Sequence, residues 1–193
     1  MTVTGNLKLL ILITTGLKWQ LSSLPEIRQL LRNMIRFMLQ NDSERVLEIY
    51  RMGLDTRNAT FETNVPSWQE WNLKHLSHSR FVADVDGIVT GWAALSPFSS
   101  RDAYKGVAEL SIYVATGYRG RKIGSGLMEQ IIISSESNGI WTLFSSVFPE
   151  NEATLKLHYK FGFREIGRRE RIAKLDGIWR DTILLERRSS VIY

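Results

Sequence analysis

A basic, glycine-rich turn at residues 119–126 (RGRKIGSG) follows the segment Val107–Val114, whose alternating apolar residues are typical of a strand. After the turn, apolar residues recur at helical spacing, so the turn lies at a helix N-terminus. Unpaired N–H groups and the positive end of the helix dipole favour anions at such a position. Because Arg119, Arg121 and Lys122 add positive charge, the turn predicts a site for a phosphate-rich ligand.

The spacing of the glycines narrows the choice of phosphate ligand. Glycines at 120, 124 and 126 do not form the G-x-G-x-x-G pattern of dinucleotide-binding folds, and no Gly-Lys-Ser/Thr sequence follows as in a P-loop. The pattern that is present, R-x-x-G-x-G at residues 121–126, resembles the acetyl-CoA pyrophosphate loop of the GNAT superfamily of N-acetyltransferases. A G-x-G pattern also occurs in ordinary turns. Whether this turn binds a cofactor therefore has to be judged from motifs elsewhere in the chain.

Acids and histidines supply the other candidates for chemistry. Glu109 stands within the apolar strand segment, where loss of water raises the pKa of a carboxyl group toward that of a useful base. Taken alone, the position favours a carboxylate that faces solvent or pairs with an arginine. His75 and His78 lie in a polar segment and are predicted to be solvated. Their H-x-x-H spacing has no nearby third ligand, so no metal site is predicted.

The composition is that of one ordinary globular domain. The chain has 193 residues, of which 44% are hydrophobic and 23% charged, enough for a substantial core. It has no cysteine, which excludes a disulfide framework, a cysteine-ligated zinc site and a thiol nucleophile. The net charge is +5, but basic and acidic residues alternate in segments such as 164–171. A solvated face is therefore predicted there, rather than a nucleic-acid site.

The first 33 residues differ in pattern from the rest of the chain. The apolar segment Leu9–Ile13 is too short to span a bilayer, and no small-residue cleavage site lies after it, so neither a transmembrane helix nor a secretory signal is predicted. We expect an N-terminal extension of uncertain role over residues 1–33, an acetyltransferase domain over 34–188 and a short C-terminal tail over 189–193.

From residue 34 onward, strand and helix patterns succeed each other closely. Asp86-Gly87 and Asp176-Gly177 predict tight hairpins, and Asn138-Gly139 predicts a helix end. The order β-α-α-β-β-β-α-β-α-β-β predicts a mixed α/β sheet with helices on both faces. Strands are predicted at 35–38, 81–85, 88–95, 107–114, 141–147, 172–175 and 179–185, and helices after capping patterns at 41–44 and 67–70, after the glycine-rich turn and after Pro149.

Four separated motifs resemble one branch of the GNAT superfamily, the phosphinothricin N-acetyltransferases, which include enzymes that act on methionine sulfoximine and on arsinothricin. The resemblance covers roughly residues 35–187. It implies the GNAT fold, a mixed and mostly antiparallel central sheet that is splayed at the cofactor site and has helices on both faces. The motifs are Asn58-Ala59-Thr60-Phe61-Glu62-Thr63, Ser67-Trp68-x-x-Trp71, Arg101-x-x-Tyr104 before Ala108-Glu109-x-Ser111-x-Tyr113-Val114, and Asp176-Gly177-x-Trp179-x-Asp181.

The resemblance implies direct transfer of the acetyl group of acetyl-CoA, a co-substrate, to the α-amine of a glutamate-like amino-acid analogue. Glu109 would be the general base, and His158 would be a proton donor, a base or a packed residue. The acceptor would contact Phe61, Arg101 and Tyr104, with Arg101 as a bidentate partner of its anionic group. Expected contacts to acetyl-CoA are Ile112, Val114 through its main chain, Arg119, Arg121, Lys122, Ile123, Gly124, Ser125, Gly126 and Asn151.

The resemblance further implies a cytoplasmic homodimer, with Trp179 at the pocket or at the dimer interface. The lack of a third metal ligand, of a nucleic-acid signature and of a membrane-spanning segment predicts no metal, nucleic-acid or membrane partner. Two other interpretations stay open. The acceptor could be another small amine, an amino acid or a protein N-terminus, although Arg101 disfavours a polycationic one. Alternatively, the chain could be a non-catalytic acyl-CoA-binding module, against which the joint presence of Glu109 and His158 argues.

Overall fold

The structure, a computed structural model, describes residues 34–192. The predicted extension over residues 1–33 lies outside the described residues, and the domain boundaries stay predictions. Seven strands are described: β1 (Ile35–Phe37), β2 (Phe81–Val85), β3 (Ile88–Pro97), β4 (Val107–Val114), β5 (Thr142–Val147), β6 (Arg164–Leu175) and β7 (Ile178–Arg188). Four α-helices accompany them: α1 (Ser43–Asp55), α2 (Trp68–Lys74), α3 (Ile123–Ser137) and α4 (Glu152–Lys160).

The seven described strands form one sheet in the order β1-β2-β3-β4-β5-β7-β6. Each neighbouring pair is antiparallel except β4 and β5, which run parallel. The predicted mixed, mostly antiparallel sheet is therefore confirmed. Within residues 34–192, no helix is long and apolar enough to cross a membrane.

Helices cover both faces of the sheet, as predicted. The alternation of side chains along β4 separates two cores, because successive residues of a strand point to opposite faces. Ala108 and Leu110 pack in the core that contains Leu127 and Ile131 of α3. Tyr113 packs with the second core, which contains Ile49 of α1 and Trp71 of α2.

The two predicted hairpin turns are confirmed in their backbone conformation. Asp86 and Gly87 have φ of 52° and 81°, and Asp176 and Gly177 have φ of 49° and 81°. Two successive residues with positive φ are the signature of the type I′ turn that connects two antiparallel strands tightly. Gly139, with φ of 76°, comes after the end of α3, as the predicted helix stop requires.

Two local predictions are wrong. The pattern at residues 41–44 does not cap α1, because the Asp42 carboxylate instead accepts a hydrogen bond from the Leu39 N–H at 2.7 Å and pairs with Arg36 at 2.8 Å. The strand predicted from residue 172 begins at Arg164, so the alternating charges of 164–171 lie along β6 at the edge of the sheet. That segment is exposed, as expected, and charged side chains on an edge strand discourage pairing with other chains. The capping box Ser67–Glu70 is confirmed.

The parallel pairing of β4 with β5 is short. It joins residues 107–109 to residues 142–144 and then stops, although both strands continue. Ala115 N–H donates to Thr90 of β3, so by alternation the main-chain groups of Ile112 and Val114 point away from β3, toward the side where β5 has separated. The expected splay is present, and it leaves these groups without a strand partner on that side.

Candidate active site

A cavity of about 1090 Å³ opens where β4 and β5 separate. It has a basic end formed by Arg119, Lys122, Lys156 and Lys160, and an aromatic end formed by Phe61, Trp71, His75 and Trp92. Four residues of the predicted site, Arg101, Tyr104, Arg121 and Gly126, do not line it. The predicted residues that do line it are Phe61, Glu109, Ile112, Val114, Arg119, Lys122, Ile123, Gly124, Ser125, Asn151 and His158.

The basic end is built on the N-terminus of α3. Lys122 precedes the helix with φ of 64°, and its carbonyl accepts hydrogen bonds from the N–H groups of Ser125 and Gly126 at 3.0 and 3.1 Å. The first-turn N–H groups without a partner inside the helix are therefore those of Ile123 and Gly124. Burial and the nearby charge of Lys160 lower the pKa of Lys122. This concentration of positive charge and free N–H groups suits a polyanion.

Gly124 keeps the space between α3 and α4 open. A Cβ atom at this position would lie 3.4 Å from Leu157 Cδ2 of α4 and 3.8 Å from Val114 Cγ2 of β4. Those are ordinary contact distances, so alanine fits, whereas a branched side chain would extend into the cavity beside the free N–H groups. The glycine and the basic end therefore suit the phosphate-rich ligand that the sequence predicts for this turn.

Glu109 lies in the middle of β4, opposite Ser96 of β3, and its side chain faces the cavity. The residue is exposed to solvent inside the concave cavity, whose walls exclude part of the water that would surround a carboxylate on an open surface. This loss of hydration raises the pKa of the Glu109 carboxyl, and the positive charge of Lys74 opposes the rise. Its placement matches the predicted position of a base, and its role stays a prediction.

His158 is buried, and both of its ring nitrogens are engaged. Nδ1 lies 2.8 Å from the Thr154 carbonyl oxygen, which can only accept, so Nδ1 carries a proton. Burial lowers the pKa of the imidazole, which favours the neutral ring, and Nε2 then accepts a hydrogen bond from the Ser145 hydroxyl at 2.9 Å. In this form His158 presents no proton to the cavity, although its ring and Ser145 both line the cavity wall.

The prediction that His75 is solvated is wrong. Its ring stacks on Trp71 with centroids 3.9 Å apart, Nδ1 bonds to the Trp71 carbonyl at 2.7 Å, and Trp92 packs edge-on at 6.1 Å. Burial lowers the pKa of His75 to about 4, so the ring is neutral at physiological pH. The available signal in the sequence is the spacing Trp71-x-x-x-His75, one helical turn apart, which brings the two rings together at the end of the helix.

The aromatic end contains Phe61 but not the other two predicted acceptor contacts. Phe61 packs edge-to-face on Phe148 with centroids 4.8 Å apart. Arg101 and Tyr104 lie on an exposed loop outside the cavity. Among the described residues that line this end, the one cationic side chain is Lys74, which pairs with Glu62 at 3.2 Å. Lys74 is not predicted from the sequence, because nothing in its local pattern distinguishes it from a solvated helix lysine.

Asn151 caps α4. Its side-chain oxygen accepts a hydrogen bond from the Thr154 N–H at 3.2 Å, and its amide nitrogen donates to the Asn58 carbonyl at 2.8 Å. Both ends of the side-chain amide are therefore used within the protein, and its predicted contact with acetyl-CoA stays a prediction. Among residues 34–192, no group of three histidine or carboxylate side chains is placed to hold a metal ion.

This fold and site belong to a defined class. The model of the Acetyltransferase (GNAT) family matches residues 44–163, more than half of the chain, and the chain belongs to that family. It is an acetyl-CoA-dependent N-acetyltransferase.

Individual relatives narrow the branch of the family. Over 161 residues, the chain is 34% identical to a Bacillus subtilis (strain 168) protein named "Putative phosphinothricin acetyltransferase YwnH", covering 81% of this chain and 99% of that protein. It is 26% identical to a Salmonella typhimurium L-methionine sulfoximine/L-methionine sulfone acetyltransferase, covering 79% and 92% of the two chains. The crystal structure of a Sinorhizobium meliloti GNAT-superfamily phosphinothricin acetyltransferase in complex with acetyl-CoA is similar at a TM-score of 0.73 and 26% identity, covering 82% and 94%.

The Gly124→Val substitution tests the open space between α3 and α4. We expect it to weaken acetyl-CoA binding about tenfold or more, equivalent to roughly 1.4 kcal/mol, because the branched side chain enters the space beside the free N–H groups. Titration calorimetry with acetyl-CoA measures the dissociation constant. Gly124→Ala is the matched control and should change it by less than about twofold. Equal binding by the valine variant and the natural protein would remove Gly124 from the acetyl-CoA site.

Proposed function

We propose that this N-acetyltransferase acetylates the α-amine of a glutamate-like amino-acid analogue, of the kind represented by phosphinothricin, methionine sulfoximine and arsinothricin. The names of the relatives in phosphinothricin and methionine sulfoximine acetylation support this acceptor class. The single observation that carries the proposed chemistry is the Glu109 carboxylate in the cavity, where partial loss of hydration raises its pKa. The homodimer and the cytoplasmic location remain predictions from the resemblance.

In the proposed reaction, Glu109 and the Ser145–His158 pair would accept protons, and the Val114 N–H would donate a hydrogen bond. Acetyl-CoA, when bound, supplies the activated acetyl group. Glu109, directly or through a water molecule, takes a proton from the ammonium group of the acceptor, which frees the nitrogen lone pair for attack on the acetyl carbon. The Val114 N–H, which faces the gap between the strands, donates to the carbonyl oxygen as negative charge develops on it.

Ser145 and His158 would handle the second proton. Once the nitrogen has bonded to the acetyl carbon, it must lose another proton, and the departing sulfur must gain one. The Ser145 oxygen can accept this proton while its own proton passes to His158 Nε2, 2.9 Å away. Because burial disfavours the charged imidazole, the reverse transfer to the thiolate is favourable as the carbon–sulfur bond breaks.

A second candidate acceptor is a cationic amine without an acidic group. Three carboxylates line the cavity toward the aromatic end, those of Glu62, Glu70 and Glu109, against the single positive charge of Lys74. Such a balance also suits a positively charged amine. An acceptor with a carboxylate depends on Lys74, whereas a simple amine does not, which gives the two candidates different substrate profiles.

Thiol release in a panel of amines tests the acceptor class. With acetyl-CoA, we expect phosphinothricin and methionine sulfoximine to release free thiol, and spermidine and a peptide with a free N-terminus to release little. The physical reason is that the two amino-acid analogues carry an anionic group that can pair with Lys74, whereas spermidine and the N-terminal residue of the peptide carry none beside the reacting amine. Turnover of spermidine or the peptide, with none of the amino-acid analogues, would contradict the proposal and favour the second candidate.

The pH profile of Glu109→Gln tests the base. We expect kcat to fall about 100-fold or more, because a positioned base contributes roughly that factor, with little change in acetyl-CoA affinity. In the natural protein, kcat/KM should fall on acidification with an inflection above the ordinary glutamate pKa, and kcat/KM of the variant should not show this fall.

The effect of Glu109 ionisation on the free energy of unfolding is opposite to that of a salt-bridged acid. A raised pKa in the folded state means that ionisation costs stability as the pH rises, so the glutamine variant should unfold no earlier at neutral pH.

Glu170→Gln, on the exposed face of β6, is the control for Glu109 and should keep the natural profile. A Glu109→Gln enzyme with full activity at neutral pH would show that the base has been assigned wrongly.

Ser145→Ala and His158→Asn together test the shared proton path. If the two residues act as one unit, each single change should lower kcat by a similar factor, about tenfold or more, and the double variant should lose no more than the worse single variant. Steady-state kcat and the acetyl-CoA dissociation constant are the measurements. Multiplicative losses in the double variant would mean that the two side chains act independently.

A further inference from the structure

The loop between α1 and α2, residues 56–67 (the α1–α2 loop), forms one wall of the cavity without any regular secondary structure of its own. It contributes Phe61, the predicted acceptor contact, and Glu62, the partner of Lys74. Within the loop, two side-chain hydrogen bonds are described, from the Asn58 N–H to Thr56 and from the Glu62 N–H to Thr60, so its placement in the cavity wall depends largely on contacts with neighbouring elements. The position of Phe61 therefore depends on those contacts.

Arg180 of β7 makes the most extensive of these contacts. Its guanidinium donates to the Arg57 carbonyl at 3.1 Å, to Asn58 Oδ1 at 3.3 Å and to Glu150 Oε2 at 2.9 Å. Only 17% of the Arg180 side chain is exposed, against 62% of its Glu150 partner, and the bond to Asn58 is the partly buried one of the three. The planar fork of an arginine can serve three acceptors at once, which the ammonium of a lysine does less well.

The Arg180 guanidinium also packs on Phe148, the ring that contacts Phe61. Its central carbon lies 4.3 Å from the centroid of the Phe148 ring, and Phe61 packs edge-to-face with Phe148. Removing the guanidinium would therefore take one packing surface from Phe148 as well as the hydrogen bonds to the loop.

Asn58 extends the same connection to α4. Its side-chain nitrogen donates to the Glu150 carbonyl at 3.2 Å, and its own carbonyl accepts from Asn151, the cap of α4, at 2.8 Å. The Arg57 side chain adds an ion pair with Asp176 in the β6–β7 turn at 3.2 Å. The start of the loop is thus tied both to the helix that carries His158 and to the C-terminal hairpin.

We propose that Arg180 is a positioning residue for the acceptor. Through Asn58 and Phe148 it holds the α1–α2 loop against the turn between β5 and α4, and so fixes Phe61 at the cavity wall. Arg180 itself does not line the cavity, and its effect reaches the acceptor only through these neighbours. The part of this inference that concerns the acceptor rests on the proposed function.

Two substitutions that remove different properties of the Arg180 side chain test its role. Arg180→Met keeps the aliphatic bulk and removes all donors, and Arg180→Lys keeps the charge without the fork. We expect the KM for the amino-acid acceptor to rise about tenfold or more in the methionine variant and by a smaller factor in the lysine variant, because misplaced contacts cost binding far from the chemistry. The acetyl-CoA dissociation constant should stay within about twofold of the natural value in both. Arg169→Met, an exposed arginine on the neighbouring strand β6, is the control.

Amide hydrogen exchange supplies a readout that does not depend on the acceptor. Residues 57–62 should exchange about tenfold or more faster in Arg180→Met, while α3 keeps its natural rates. Unchanged exchange in this segment would overturn the proposal, as would equal losses of acetyl-CoA and acceptor affinity. If the natural protein acetylates none of the amino-acid analogues, the proposed acceptor is wrong, yet the exchange measurement still decides whether Arg180 holds the loop.

Discussion

The separation of β4 from β5 is the constraint on which the site depends. The two strands share a ladder for three residues and then diverge, so the main-chain groups of Ile112 and Val114 on that side have no strand partner. Leaving a buried main-chain group unpaired costs about 1–3 kcal/mol, which a compact sheet would avoid. The divergence is tolerable because it opens on a cavity where water or a polar ligand can satisfy these groups. The same divergence leaves room beside Gly124 at the start of α3.

The charges of the cavity divide it into two chemical environments. Lysines and an arginine from the turn before α3 and from α4 meet at the N-terminus of α3, where the helix dipole has the same sign, whereas carboxylates prevail near Trp71 and Phe61. Glu109 lies on β4 with Lys74 as a nearby positive charge. Several basic residues outside the cavity pair with acids, as Arg168 does with Asp181 and Arg187 with Glu136. The net charge of +5 therefore does not describe a single basic surface.

Much of the fold could be predicted from the sequence because its signals are local. The Asp-Gly turns, the capping box at Ser67 and the strand before the glycine-rich turn each depend on neighbouring residues, and each is confirmed. The errors arise where distant contacts prevail. Aspartate is a residue type that often caps helices, but the Asp42 carboxylate pairs instead with Arg36 of β1. His75 loses its hydration partly to Trp92, a residue of β3 that the local pattern cannot reveal.

The site residues also differ in how far the sequence predicts them. The positions of the glycine-rich turn and Glu109 can be predicted from the sequence, because a strand, a turn and a helix in succession determine their relative placement. The roles proposed for Ser145 and Arg180 cannot be predicted from local sequence patterns. Each depends on a hydrogen bond to a residue in another part of the chain, to His158 from Ser145 and to Asn58 from Arg180. The resemblance supplies Arg101 and Tyr104, yet their loop lies outside the cavity of the isolated chain.

The geometry also separates the two candidate proton-transfer residues. Glu109 shares its face of β4 with Tyr113, which packs toward α1 and α2, whereas Ser145 shares its face of β5 with Leu143 and Val147, which pack toward α3. Glu109 and the Ser145–His158 pair therefore lie on opposite faces of the sheet and cannot form one dyad. The gap between β4 and β5 connects the two faces. In the proposed mechanism, a reaction centred in that gap would lose one proton to each side, to the carboxylate on one face and to the serine–imidazole pair on the other.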